Sequence, residues 1–208
     1  MDGVFMKKCM RRLLTCALAA AVFWSIGLIA DRSKLNQGLI RFHVVANSDS
    51  AQDQAVKRSV RDAVLNSLHT ELHRITDMDA AREYLQDSLP KIRLLVEKTL
   101  KDLGYPEDCR VSLCKERFDI RHYDTFSLPA GVYDSLRIVI GDGLGKNWWC
   151  VSFPTLCVPQ TVSGFTDAAV GAGFSEPLVQ TLAGNEAYEI RFYCLDLLGR
   201  VENIFFQE

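Results

Sequence analysis

The polar and apolar residues of this chain follow three patterns along its length. An uncharged run, Leu13–Ala30, comes first and follows a basic segment. Apolar residues then recur at the helical spacing of three and four, from Ser50 to about Leu103. From Cys109 to Phe153 the spacing changes to the alternation typical of strands. With one earlier strand, this order predicts an α+β domain in which a helical layer packs on a mostly antiparallel sheet.

The first run predicts a segment for export across a membrane. Its eighteen residues would rise about 27 Å as a helix, close to the thickness of a hydrocarbon core. Basic residues before such a run stay in the cytoplasm, so the rest of the chain is expected outside. Leu28-Ile29-Ala30 is a poor cleavage site, and Leu13-Leu14-Thr15 before Cys16 is a poor lipobox. Residues 1–30 are therefore predicted to be a signal peptide or a signal anchor, with cleavage left open.

A short linker, residues 31–38, precedes the domain proper. Leu39–Ala46 alternates as a strand that places Arg41 and His43 on one polar face, and Asn47-Ser48-Asp49 supplies turn and cap chemistry. A long amphipathic helix is predicted from Ser50 to Ile75. Its polar face, expected in solvent, carries Lys57, Arg58, Arg61, Asp62, Glu71 and Arg74.

Two further helices are predicted after this one. Asp77 or Asp79 caps a helix that ends at Leu89, because Pro90 interrupts it. The next helix, Lys91–Leu103, ends at a glycine.

The strand block contains the most distinctive part of the sequence. Arg110–Glu116 and Arg117–Tyr123 are predicted strands, and two apolar runs follow them, Ser135–Ile140 and Trp148–Phe153. The glycine-rich segment between the last two runs predicts that they pair as a hairpin.

The C-terminal part is less patterned. Residues 160–185 are small and glycine-rich, which predicts a connector with at most a short helix. Residues 186–208 form a C-terminal element packed on the domain, and their periodicity fits a helix or a strand equally. The main domain is thus residues 39–159.

Composition narrows the class of function. The hydrophobic and charged fractions of 48% and 24% are those of a globular protein. A formal net charge of -2 gives no electrostatic basis for nucleic-acid binding, which usually needs a clustered basic face.

No segment matches an established catalytic or metal-binding pattern. Gly141, Gly143 and Gly145 before Lys146 resemble a phosphate loop, but position 140 is Ile and Asn147 replaces the required Ser or Thr. The histidines His69 and His73 stand one helical turn apart, but HTELH lacks the Glu that follows the first His of HExxH. No cofactor or metal is therefore predicted.

One thiol centre stays open as an alternative. Cys150 would need a base, for which His43 and His122 are the candidates, with Asp124 or Asp142 to orient the imidazole. This arrangement would make the chain a secreted thiol-dependent hydrolase of the cell wall or the intermembrane space.

The seven cysteines offer one plausible disulfide. Outside the cytoplasm, Cys150 and Cys157 can join, since the six residues between them include Pro154 and allow the chain to turn back. Two reduced, buried thiols are the alternative. Cys109 and Cys114 would point to opposite faces of one strand and cannot join.

Two long segments resemble a known family. IRFHVVANSDSAQDQAVKRSVRDAVL and LPAGVYDSLRIVIGDGLGKNWWCVSFPTLC are similar to the stage II sporulation protein R family of endospore-forming bacteria, over roughly Leu39–Pro159. The resemblance implies an intercellular signalling protein, not an enzyme, exported from the forespore into the intermembrane space. It also implies a partner, a membrane-embedded aspartic protease of the mother cell. On the extracytoplasmic side this chain would activate the protease, which removes the pro-sequence of the sigma-E precursor.

A contact surface for this partner is predicted around the tryptophan pair. Trp148 and Trp149 are adjacent in a strand and face opposite sides of the sheet, so one can be core while its neighbour faces helices, solvent or a partner. Burial of both by a two-layer fold is the alternative. Arg41 and His43 share the polar face of the first strand, and the turn and cap residues Asn47–Asp49 lie at its end. The predicted partner-binding residues are Arg41, His43, Asn47, Ser48, Asp49, Lys146, Trp148 and Trp149.

Overall fold

The computed structural model describes residues 2–154, 161–184 and 189–206, with side chains from residue 8 onward. The helices are α1 (Asp2–Gly38), α2 (Ala51–Leu72), α3 (Met78–Asp102), α4 (Val162–Gly171), α5 (Glu176–Leu182) and α6 (Glu189–Phe205). The strands are β1 (Ile40–Val45), β2 (Cys109–Phe118), β3 (Arg121–His122), β4 (Ser127–Leu128), β5 (Gly131–Ile140) and β6 (Asn147–Phe153).

Four strands form one mixed sheet in the order β2-β5-β1-β6, and β3 pairs with β4 beside it. β2 is antiparallel to β5, and β6 is antiparallel to β1, whereas the central pair β1 and β5 is parallel. The sheet is thus mostly antiparallel and carries helices on both faces. The predicted α+β class is confirmed.

The predicted hairpin is wrong, although both of its strands exist. β5 and β6 run antiparallel, but β1 lies between them, with His43 opposite Arg137 on one side and Trp149 on the other. Every residue of β1 is buried. β1 lies inside the sheet, so both of its edges are paired and both of its faces are covered. The glycine-rich segment therefore crosses the end of β1 instead of closing a tight turn.

The two faces of the sheet bury separate apolar clusters. Phe42, Leu136 and Ile138 face α2 and α3. Tyr133 and Val151 face the other way, into a cluster with side chains from the remaining helices. Because side chains alternate along a strand, Arg41 and His43 share this second face.

The α2–α3 layer confirms the helical periodicity and corrects one boundary. Ser50 caps α2, its side chain accepting from the Asp53 N–H, and Asp77 caps α3 in the same way. The predicted break at Pro90 is wrong, because α3 runs through it. Leu85 and Ile92, on either side of the proline, are both buried in the same cluster. Packing of one continuous apolar stripe outweighs the missing hydrogen bond.

Helix α1 extends past the predicted export segment and packs on the domain. Residues Lys8–Gly38 are long and apolar enough to cross a membrane, and Leu35 is fully buried. An Arg32–Glu202 ion pair of 2.6 Å and a 2.8 Å hydrogen bond from Asn36 to Glu202 tie α1 to α6. Asp31 pairs with Arg191 of α6 as well. Residues 31–38, predicted as a linker, are therefore helical and in contact with the domain.

The C-terminal segments are helical where the structure describes them. The glycine-rich stretch contains α4 and α5, which bury Phe165 and Leu178 against the second face of the sheet. The choice between helix and strand near the C-terminus is resolved as α6. Gly199 of α6 touches the sheet so closely that a Cβ there would lie 1.6 Å from the carbonyl oxygen of Ala130.

The packing of α1 can be tested with Leu35→Ala. Removing this fully buried side chain should lower the free energy of unfolding by about 2–5 kcal/mol, because it leaves a cavity. The matched control is Leu94→Ala on α3, where the leucine is 66% exposed. Pulse proteolysis of the full chain in detergent measures both variants. Equal stability of the two variants would show that residues 31–38 do not belong to the folded unit.

Candidate partner-binding site

The two segments with the most distinctive sequence meet at one end of the sheet. β1 and β5 are parallel, so the loops that leave their C-terminal ends lie side by side. We call these loops, residues 46–50 and 141–146, the loop pair. They come from positions almost a hundred residues apart in the chain.

Hydrogen bonds join the two loops along their length. The N–H groups of Leu144 and Gly145 donate to the carbonyl oxygens of Asn47 and Ala46, at 3.0 and 2.9 Å. The Asp142 N–H donates to Asn47 Oδ1 at 2.9 Å, and the Lys146 N–H donates to Asp49 Oδ1 at 2.6 Å. The loop pair is therefore one cross-linked unit.

Glycines allow this close approach. Gly141 has a φ of 57°, and a Cβ on it would lie 2.3 Å from Asn47 Oδ1. A Cβ on Gly145 would lie 2.3 Å from the carbonyl oxygen of Ser48. The N–H groups of residues 142 and 144–146 donate to acceptors within the loop pair. They are therefore not directed at a phosphate, as those of a phosphate loop would be.

A buried carboxylate supports the loop pair from below. Asp53, in the first turn of α2, accepts hydrogen bonds from Tyr105 at 2.7 Å and from the Asn47 side chain at 3.2 Å. Hydrogen bonds from the hydroxyls of Ser48 and Tyr105 are the main reasons why the pKa of Asp53 falls from 3.8 to about 2. Burial and the bond to Asp53 raise the pKa of Tyr105 to about 12.

A buried lysine supports the loop pair from the side. Lys57 Nζ donates to the carbonyl oxygen of Lys146 at 2.8 Å and to Gln54 Oε1 at 2.6 Å. Burial lowers the pKa of this ammonium group. The prediction that Lys57 is solvated is therefore wrong: its position on the polar stripe of α2 faces the loop pair instead of solvent.

The loop pair brings together four of the predicted partner-binding residues. Asn47 and Ser48 are half-buried, whereas Asp49 and Lys146 are exposed. Leu144, at the tip, is 82% exposed. Sequence reasoning did not select Leu144, although a leucine in a loop of glycines and polar residues is an available signal.

The two tryptophans are half-buried on opposite faces of the sheet, as adjacent residues of a strand must be. The Trp148 ring packs edge-on against Phe42 at 5.7 Å, with the guanidinium of Arg61 over it at 5.0 Å. The Trp149 ring stacks on His43 at 4.6 Å, and Arg121 lies over it. The tryptophans therefore flank the loop pair, one on each face.

Arg41 and His43 are interior residues. Arg41 is 0% exposed; its guanidinium lies 4.1 Å from the ring centre of Phe118 and donates to the Tyr123 hydroxyl at 2.9 Å. His43 is also buried, with Nε2 2.8 Å from Glu116 and Nδ1 2.9 Å from the Asn147 amide. The expectation that Arg41 contributes to a surface patch is wrong, because the rings of Phe118, Tyr123 and Tyr133 enclose its guanidinium.

The thiol alternative does not form a catalytic pair among the described residues. Cys150 is opposite Phe42 in the β1–β6 register, whereas His43 is opposite Trp149, so the thiol and the imidazole point to opposite faces. His122 lies on β3, where its Nδ1 contacts the Ser127 hydroxyl at 2.8 Å.

Two other sequence predictions concern cysteines and histidines. Cys157 lies outside the described residues, so its disulfide with Cys150 stays a prediction. Cys109 and Cys114 both belong to β2 and do not join each other, and Cys109 is buried whereas Cys114 is exposed. His69 and His73 stack at 5.8 Å, and the part of the chain that the structure describes holds no group of three or more acidic, Cys or His side chains suited to a metal ion.

The Asp53 carboxylate makes the loop pair sensitive to acid. A pKa lowered to about 2 means that the ionised form favours the folded state, a contribution present above about pH 4 and lost as pH falls towards about 2. Asp53→Asn should therefore flatten the decline of the thermal midpoint over this range. The exposed carboxylate of Asp87 on α3 provides the control, Asp87→Asn. An Asp53→Asn variant with the wild-type pH profile would contradict this assignment.

The part of the chain that resembles known proteins includes both segments that form the loop pair. The family model of stage II sporulation protein R (spore_II_R) matches residues 36–163, more than half of the chain. Stage II sporulation protein R of Bacillus subtilis (strain 168) is 40% identical over 118 residues, which are 57% of this chain and 53% of that protein. The chain thus spans about half the length of this relative. No solved structure matches. The family match over β1, the helical layer and β6 shows that the chain belongs to the stage II sporulation protein R family.

Proposed function

We propose that this chain is an exported signalling protein that activates a membrane-embedded aspartic protease during endospore formation, and so triggers processing of the sigma-E precursor. Membership in the stage II sporulation protein R family carries this proposal. The chain acts in it as a ligand of the protease, not as an enzyme.

Export from the forespore is supported by the N-terminus. Lys7, Lys8, Arg11 and Arg12 precede the apolar part of α1, and basic residues in this position are retained in the cytoplasm. The domain that follows would then lie in the intermembrane space, either attached through α1 or released by cleavage. Both arrangements place the sheet outside the forespore.

The position of the loop pair favours it as the contact surface. α1 ends two residues before β1, and Arg32 of α1 lies against Gly131 at the start of β5. The loop pair is at the opposite ends of both strands, and a strand of six residues spans about 20 Å. The loop pair is therefore at the end of the sheet that faces away from α1, where a protease in the opposite membrane can reach it.

The rigidity of the loop pair suits a ligand. Its backbone is held by hydrogen bonds from loop to loop and by Lys57 at its side. Little conformational entropy is lost when such a surface binds, so more of the interaction free energy appears as affinity. To activate the protease, the loop pair must bind its active arrangement more tightly than its inactive one.

Leu144→Glu tests this surface. The side chain is 82% exposed, so the substitution leaves the backbone bonds of the loop pair intact. We expect sigma precursor processing to fall roughly tenfold or more, the effect of losing about 1.4 kcal/mol at a binding hot spot. Immunoblots of cells that make only the protease, the precursor and this chain measure the effect.

Two controls make the assay specific. Leu94→Glu introduces the same charge at a 66% exposed leucine on the outer helical layer and should signal normally. Deletion of residues 1–30 should abolish processing by preventing export. Normal signalling by Leu144→Glu would exclude the loop pair, whereas no processing with the exported wild-type chain would refute the proposed function itself.

A further inference from the structure

Helix α6 presents an apolar stripe to its surroundings. Ile190 is 72% exposed, Leu197 62% and Ile204 75%. The whole stripe comprises Ile190, Tyr193, Leu197, Leu198, Val201, Ile204 and Phe205. Its members recur at the spacing of one helix face, and no charged side chain interrupts them. The opposite side of α6 is buried through Leu195 and Gly199, so the helix has an apolar side towards the domain and another away from it.

α6 is attached to α1 at a defined level. Arg191, in the first turn of α6, pairs with Asp31, and Nε of this arginine is 2.9 Å from the carboxylate. Glu202, in the last turns of α6, contacts Arg32 and Asn36. Along α6, Arg191 and Glu202 are about 16 Å apart, whereas along α1 their partners Asp31 and Asn36 are only about 8 Å apart. α6 therefore crosses α1 obliquely and does not run alongside it.

The attachment begins inside the apolar segment of α1. Leu28 is 6% exposed, although it belongs to the run Leu13–Ala30 that is needed to cross the hydrocarbon core. Ile26 and Ile29 beside it are exposed. No spacer separates the apolar segment from the domain, so Asp31 and the start of α6 lie at the level of the lipid headgroups when α1 spans a bilayer.

We infer that the exposed face of α6 lies on the lipid bilayer that α1 crosses. The inference rests on the proposed export, with α1 retained as an anchor. Burial of the stripe in the interface removes apolar side chains from water, and Tyr193 occupies the headgroup level, where aromatic side chains are enriched. α6 lies outside the residues that the family model matches, so this contact is a feature of this chain beyond its family segment.

A bilayer contact also gives α1 and α6 one function. It fixes the orientation of the domain on the membrane, with the loop pair directed away from it. The competing occupants of the stripe are a second copy of the chain and the partner protease, and the experiment distinguishes them from lipid.

Photo-crosslinking in the full chain tests the contact. The photoreactive residue p-benzoylphenylalanine replaces Leu197 of the stripe, Phe23 of α1 or Leu94 of α3, all of them exposed. Each variant is reconstituted in vesicles of phosphatidylethanolamine and phosphatidylglycerol that contain a radiolabelled phosphatidylethanolamine. Position 23 reports whether α1 is in the bilayer, and position 94 is the matched control on the other side of the sheet.

Positions 23 and 197 should each capture at least roughly tenfold more labelled lipid than position 94, since only side chains within the membrane interface meet lipid. Label at position 23 without label at 197 would overturn the inference, as would a chain-to-chain adduct at 197, which would make α6 a dimer face. No label at position 23 would also overturn it, because α1 would not be the anchor. Position 204, which is also exposed, replaces 197 if that variant fails to fold.

The signalling assay separates this inference from the proposed function. A chain that activates processing but captures no lipid at positions 197 and 204 would retain the proposed function and refute the membrane contact of α6.

Discussion

The burial of β1 is the constraint on which the rest of the structure depends. This strand is paired on both edges and covered on both faces, yet it carries Arg41 and His43. Buried polar groups need partners within the protein. The aromatic ring of Phe118 and the Tyr123 hydroxyl meet the guanidinium of Arg41, and Glu116 meets the imidazole of His43. This face of the sheet therefore contains satisfied polar side chains as well as an apolar core.

The loop pair is a consequence of the same central position. Because β1 separates β5 from β6, the connection between those strands must pass over the end of β1, and there it meets Asn47. The Asn47 side chain accepts a hydrogen bond from the Asp142 N–H and donates one to Asp53. The backbone carbonyl oxygen of Asn47 accepts a third from the Leu144 N–H. Two segments distant in sequence become a single rigid surface, held in shape before any partner binds. Such preorganisation is what the proposed role as an activating ligand requires.

The molecule has two different ends. At one end, α1 and α6 expose apolar side chains and are joined by the Asp31–Arg191 pair; at the other, the loop pair exposes Asp49, Lys146 and Leu144. The proposed function uses the second end for the partner protease, and the inferred bilayer contact uses the first for orientation. Under these two proposals the membrane contact would hold the loop pair in one orientation towards the partner, and no flexible tether would cost binding entropy.

The sequence by itself determined the family, the apolar character of the N-terminal helix, the α+β class and the helix starts at Ser50 and Asp77. These features depend on hydrophobic period, cap chemistry and motif, all of which are local along the chain. Only the tertiary structure decided that β1 separates the two strands of the predicted hairpin, that α3 continues through Pro90, and that Lys57 is buried against the loop pair. Packing between residues far apart in sequence decides which strands are neighbours and which face of a helix is buried. The free energy of this packing cannot be read from a local sequence pattern. α6 shows the same limit, because the periodicity of its segment fits a helix or a strand equally and does not indicate which apolar face of the helix the domain covers.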